Sequence, residues 1–117
     1  MAQSPRLICR AAEVLESGKG VTFPVRWQGL DEEGFVIRYQ GKVFGYLNRC
    51  GHVPVRMDWK PGEFFDYSKL YLICTMHGAL YAPESGRCLT GRCRGQGLQA
   101  LPVEEKNDAI YLLPIPD

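Results

Sequence analysis

Phe35-Val36-Ile37-Arg38-Tyr39-Gln40-Gly41-Lys42-Val43-Phe44-Gly45-Tyr46-Leu47 runs directly into Asn48-Arg49-Cys50-Gly51-His52. Two segments rich in β-branched and aromatic residues flank Gln40-Gly41, a two-residue connection with glycine second. That pattern predicts a β-hairpin. Its second strand delivers the chain to a cysteine and a histidine one residue apart. A second run of the same kind, Cys74-Thr75-Met76-His77, follows after 21 intervening residues, Val53 to Ile73. The chain has two histidines, and both lie in these two runs.

Outward from the hairpin, the same strand grammar repeats. Leu7-Ile8-Cys9 is a short apolar strand candidate, and Ala11 to Glu16 suits a single helical turn before Gly18-Lys19-Gly20 breaks it. Val21 to Trp27 reads as a strand, with Pro24 favouring an edge position. Gly29 to Gly34 reads as a polar, acidic turn. Beyond Cys50, Asp58 to Gly62 is a turn, Glu63 to Lys69 a loop, and Leu70 to Ile73 a strand leading to the second run. The segment Asp58 to Leu70 also leaves room for an added hairpin or flap. Ala79-Leu80-Tyr81 leads away, Pro83 to Gly86 turns, and Gly91 to Gly97 is glycine-rich. Leu98 to Val103 and Ala109 to Leu113 form a final hairpin around Lys106-Asn107-Asp108. Short strands with almost no helical periodicity predict an all-β domain of stacked antiparallel sheets, with two ligand loops near one tip.

Composition sets the bounds. A chain of 117 residues fits one domain, 1–117, with a real core. No run approaches the length of a membrane span, and the first residues carry no secretory signal, so the expected location is cytoplasmic. The net charge of +1 gives no general pull toward nucleic acid. Charge is nevertheless uneven: Arg49 to Arg94 holds seven Lys/Arg against four Asp/Glu, whereas Gly95 to Asp117 holds one Lys against four acids. A mixed solvated surface accounts for this, as does a mildly basic face near the two runs that meets an acidic partner. Five cysteines, an odd count, argue against a disulfide framework.

Two cysteines and two histidines leave two metal chemistries open. Zinc accepts such a set in a tetrahedral structural site. Zinc fingers, however, pair cysteine with cysteine and histidine with histidine, whereas here each run carries one of each. The mixed order also suits a two-iron cluster lying between two loops, one iron held by sulfur and the other by nitrogen.

The pattern Cys-x-His…Cys-x-x-His resembles the Rieske family, over about Leu7 to Leu113. The resemblance implies a Rieske-like domain with a [2Fe-2S] cluster, its binding region spanning about 48–97. Cys50, His52, Cys74 and His77 match the four ligand positions, with Gly78 following the second histidine. Two thiolates neutralise the doubly positive oxidised core, so one added electron leaves a single negative charge. Four thiolates would instead force a third negative charge onto the site, which is harder. Imidazole ligation therefore raises the potential, into a window of about −150 to +300 mV.

Within that window the neighbours decide. High-potential family members place a serine two residues after the second histidine; here that residue is Ala79, which has no donor. They also join the ligand loops by a disulfide at positions that are Val55 and Met76 in this chain. Tyr81 matches a tyrosine whose hydroxyl bonds a ligand cysteine, and it also suits a core aromatic. The expected potential lies at the low end of the window. Gly91 to Gly97 falls where the family has a third, covering loop. Cys88 and Cys93, spaced Cys-x4-Cys, could pair with each other or with Cys9, but in a reducing cytosol the expectation for all three is free thiols or simple packing.

The resemblance implies a one-electron carrier between a reductase and an oxygenase or related oxidoreductase. A small electron-transfer subunit of a larger assembly, such as a nitrite-reductase-like one, is the alternative, and a structural zinc domain is the outlying one. A ring-hydroxylating oxygenase needs two more histidines and a carboxylate for a mononuclear iron, and no histidine remains to supply them. Nor is a nucleophile–base pair available, so the chain is not expected to be an enzyme in its own right.

Overall fold

The structure is a computed structural model that describes residues 4–50, 55–58, 60–74, 78–90 and 97–115. Ten strands make up the described architecture: β1 (Arg6–Arg10), β2 (Val21–Trp27), β3 (Leu30–Tyr39), β4 (Lys42–Leu47), β5 (Leu72–Cys74), β6 (Ala79–Tyr81), β7 (Cys88–Thr90), β8 (Ala100–Leu101), β9 (Val103–Lys106) and β10 (Ala109–Leu112). They form three sheets, ordered β1-β10-β9, β2-β3-β4-β8 and β5-β6-β7, and the strands pair antiparallel throughout. The all-β expectation holds. The helical turn after β1 is a single 3₁₀ turn, Ala11–Glu13.

Side-chain alternation explains how the sheets stack. Along β4, Phe44 and Tyr46 belong to one apolar cluster, while Val43 and Leu47 belong to another. The same parity on β3 sends Phe35 and Ile37 to the first cluster and Val36 to the second, all three with no exposed surface. A strand buried on both faces reads as an unbroken apolar run, as Phe35-Val36-Ile37 does. The four-stranded sheet is thus a middle layer. On one face it meets Cys9, Ile110 and Leu112 of the first sheet; on the other it meets Leu72, Cys74, Ala79 and Tyr81 of the third. Phe35 stacks on Phe64 with ring centroids 3.8 Å apart, joining the middle layer to the segment leading into β5.

The hairpin around Gln40-Gly41 forms in the expected register, Tyr39 opposite Lys42. Both turn residues have positive φ, as a tight hairpin of this type requires. Pro24 lies on β2, an edge strand, as its missing N–H demands.

Four expectations need correction. The acidic segment expected as a turn is mostly strand: the turn is confined to Gln28-Gly29, and Leu30 to Gly34 pair with β2. Here the hairpin extends past the core into solvent, where a strand may carry charge on both faces. Arg26 and Asp31 pair across it at 3.1 Å. Near the end of the chain, Leu98 to Val103 does not form one arm of a hairpin. Ala100 and Leu101 pair with β4, and only Val103 to Lys106 pair with β10. Pro102, which has no N–H to give a ladder, lies where the chain passes from one sheet to the other. The strand expected at Leu70 to Ile73 is shifted, to Leu72–Cys74, and Leu70 is exposed. Finally, Cys88 is disulfide-bonded and not a free thiol; Cys93 lies outside the described residues.

A short hairpin does form between the two runs, but it spans Phe64 to Ile73 and so reaches past the segment 58–70 that left room for it. Phe65 bridges Leu72, Ile73 N–H donates to the Phe64 carbonyl at 2.8 Å, and Asp66 accepts from Ser68 and Tyr71 to close the turn. Tyr67 projects fully into solvent at its tip.

Candidate metal centre

The two cysteines of the Cys–His runs sit at the ends of two strands that face each other across one apolar layer. Cys50 follows β4 after Asn48 and Arg49; Cys74 is the last residue of β5. Both are buried, 5% and 0% exposed, and both belong to the cluster built from Phe35, Tyr46, Phe64 and Leu72. Neither is in a disulfide. His52 and His77 lie outside the described residues.

Each thiol is held by its local backbone. Cys50 N–H donates to the Val55 carbonyl at 2.8 Å. On the second loop, Gly78 N–H donates to the Cys74 carbonyl at 2.7 Å. Ala79 then pairs with Cys74 and Tyr81 with Leu72, which places the Tyr81 side chain in the apolar layer. Its hydroxyl lies 3.5 Å from Cys50 Sγ. Tyr81, on β6, therefore links the second loop's hairpin to the first loop's thiol.

The turn before β7 is anchored to β4. Tyr46 O–H donates to the Pro83 carbonyl at 2.6 Å, and Leu98 N–H donates to the Gly86 carbonyl at 2.7 Å. The turn at 83–86 is thereby tied to β4 on one side and to Leu98 on the other; residues 91–96 of the glycine-rich stretch expected to cover the site lie outside the described residues. Burial pushes the Tyr46 phenol well above its ordinary range, and Glu84 adds to the shift.

A polar network that sequence reasoning missed supports the first loop from behind. Asn48 and Asp58 are buried, 5% and 4% exposed. Asn48 Nδ2 donates to Glu33 Oε1 at 2.7 Å and to Asp58 Oδ1 at 2.9 Å, while its Oδ1 accepts from Met57 N–H at 2.9 Å. Asp58 Oδ2 accepts from Gly62 N–H at 3.0 Å, and Arg56 bridges Glu33 and Asp58 at 2.9 and 3.3 Å. Asp58 reads as an ordinary turn acid in the sequence, and nothing there announces that it is buried.

The described donors suit an iron–sulfur cluster. Two buried thiols from different strands share one apolar layer, and a hydroxyl lies beside one of them. Among the described residues alone, no group of three or more His, Cys, Asp or Glu gathers as a metal site.

Comparison with known proteins agrees with this chemistry. The family model for the Rieske [2Fe-2S] domain matches residues 4–105. The chain belongs to that family, which is defined by a Rieske-type cluster. No curated protein matches it in sequence. Among solved structures, it is similar to the ferredoxin of carbazole 1,9a-dioxygenase from Nocardioides aromaticivorans IC177. That pair is 20% identical with a TM-score of 0.75, over 97% of this chain and 100% of the ferredoxin. The Sphingomonas yanoikuyae B1 ferredoxin is 18% identical with a TM-score of 0.72, over 96% and 100% of the two chains. The terminal oxygenase of carbazole 1,9a-dioxygenase from Novosphingobium sp. KA1 is 27% identical with a TM-score of 0.66. The match covers 93% of this chain but 28% of the oxygenase. No described helix is long and apolar enough to cross a membrane.

Proposed function

We propose that this chain is a one-electron carrier whose single domain, 1–117, holds its [2Fe-2S] cluster through Cys50, His52, Cys74 and His77. The reading rests above all on the two buried thiols at the ends of β4 and β5, with the Tyr81 hydroxyl beside one of them. When bound, the cluster accepts and releases one electron. The protein's part is to keep the sulfur side dry and to hold both loops through the Cys50–Val55 and Cys74–Gly78 backbone bonds. The fold's likeness over full length to two ferredoxins, one serving a dioxygenase, supports a carrier role. The donor on this reading is a reductase, and the acceptor an oxygenase or related oxidoreductase. The location is cytoplasmic, and the chain does no bond-making chemistry of its own.

The purified protein should contain iron and acid-labile sulfide, and show the electron paramagnetic resonance of a reduced Rieske centre. It should be reduced rapidly by a flavin reductase and reoxidised by a Rieske oxygenase. Ala79, which gives no donor beside the second loop, sets the expected midpoint potential below about +100 mV, near the middle of the Rieske window. Colourless protein containing zinc would refute the cluster, and a potential well above that threshold would refute the ferredoxin-type tuning. Stable co-purification with one large oxidoreductase would replace the carrier by a subunit.

A further inference from the structure

The first ligand loop is fastened across its neck by side chains, independently of any metal. Asn48 lies two residues before Cys50, and Met57 and Asp58 lie where the chain returns. One carboxamide spans the gap: Oδ1 takes the Met57 N–H, and Nδ2 gives its two protons to Asp58 and Glu33. Asn48 N–H also donates to the Glu33 carbonyl at 2.8 Å, tying the neck to β3. The orientation of the amide is dictated by its partners. The backbone N–H needs an acceptor, and two carboxylates need donors. Aspartate would turn both carboxylate contacts repulsive, and leucine would remove the partner that buried Met57 and Asp58 and half-buried Glu33 each have in Asn48. Among residues of this length, asparagine alone meets all three.

We propose that Asn48, with Asp58 as its buried counterpart, is a positioning residue for the cluster. The pair sets the first loop in its ligating shape before metal arrives and slows cluster loss afterwards. The inference rests on the assignment of Cys50 as a ligand. It goes beyond that assignment, because neither Asn48 nor Asp58 would touch iron.

The test compares full-length, cluster-loaded wild type with Asn48→Asp, the exchanged pair Asn48→Asp/Asp58→Asn, and Cys50→Ala. Cluster bleaching by a ferrous chelator is timed, alongside the electron paramagnetic resonance line shape and the thermal midpoint of each apoprotein. Asn48→Asp should lose its cluster about tenfold faster or more, the equivalent of one buried charge-assisted hydrogen bond. Its resonance should also broaden, as a loosened loop samples several geometries. The exchanged pair restores an amide facing a carboxylate between positions 48 and 58 and keeps the wild-type charge, while the contact with Glu33 stays repulsive, so it should recover part of the retention and lose its cluster measurably more slowly than Asn48→Asp. Wild-type bleaching in Asn48→Asp would overturn the proposal, as would an exchanged pair that does no better than the single variant. So would faster loss that merely tracks a fall in apoprotein stability with an unchanged line shape. A cluster retained by Cys50→Ala would refute the ligand assignment itself.

Discussion

Tyr81 carries its hydroxyl to within 3.5 Å of Cys50 Sγ although the two residues lie on different hairpins, β6 and the end of β4. The contact lies in a fully apolar layer, where Tyr81 has no exposed surface. A donor aimed at a thiolate favours the more negative, reduced state of the centre it ligates. Tyr81→Phe should therefore lower the midpoint potential while leaving the fold intact. If the differential is about 1 kcal/mol, the shift is about 40 mV, at 59 mV per tenfold for one electron. Redox titration of the two proteins measures it, and an unchanged or raised potential would show that the hydroxyl gives nothing to the sulfur.

Arg38 joins the middle sheet to the outer one. Its guanidinium meets Glu105 in a two-pronged pair at 2.8 and 2.9 Å, and it also donates to the Val14 and Ala11 carbonyls at 2.9 and 3.3 Å. The Arg38 side chain is only 16% exposed, so its loss strands acceptors that water cannot fully reach. Arg38→Ala should cost about 2–3 kcal/mol, and the thermal midpoint should drop by roughly 10 °C. The hydrogen bond from Arg38, and then its charge, hold the Glu105 carboxyl below its ordinary value. That stabilisation is present above the ordinary carboxylate range and is lost as pH falls through it. Acid titration of stability should thus be shallower in Glu105→Gln than in wild type.

How far the sequence could be read depended on whether the signal was local. The Gln40-Gly41 hairpin was legible because two apolar strands and a left-handed turn all lie within a few residues. The two candidate thiols stand out in the sequence because the spacing of the Cys–His runs is itself a local pattern, and the structure places both in one buried layer. Leu30 to Gly34 were not, since their strand is held by pairing with β2 and carries Asp31, Glu32 and Glu33 beyond the core. Asn48 and Asp58 were illegible for a similar reason. Their partners, Glu33 and each other, are brought together only by the pairing of β3 with β4 and the return of the chain at Asp58. The disulfide at Cys88 ran against the composition argument, which weighs compartment and count but not proximity.

Gly86 should be among the least replaceable glycines. Its φ is +76, and a Cβ there would meet Tyr46 Cε1 at 2.8 Å and the Leu98 carbonyl at 3.2 Å. Gly29 has a similar φ, +78, with open space around it. Gly29→Ala should cost only the left-handed strain, about 1–2 kcal/mol. Gly86→Ala adds an overpacked contact of about 1–3 kcal/mol to the same strain. Denaturant melts of the two variants separate the terms. Equal losses would show that the turn against Tyr46 yields without cost.

Cys9 is 8% exposed and lies in the apolar layer with Ile110 and Leu112. Burial, assisted by Glu13 and opposed by Arg38, pushes its thiol up from 9.0 to about 11. At neutral pH the folded protein should resist alkylation at Cys9, because the reactive thiolate is suppressed twice over, by pKa and by access. The sign of the stability effect follows from the folded value exceeding the unfolded one. The contribution is complete below pH 9.0, where both states hold the proton, and it is lost as pH rises toward about 11. Once pH has passed about 11 the loss should amount to about 2–3 kcal/mol, of which about 1 kcal/mol falls between pH 9 and 10. Tyr46, also raised by burial, loses its contribution in the same direction but only above its own ordinary value of 10.0. Between pH 9 and 10, then, the wild type should lose stability that Cys9→Ala does not. Parallel alkaline stability curves for the two proteins would show that the thiol stays reachable by water in the folded state.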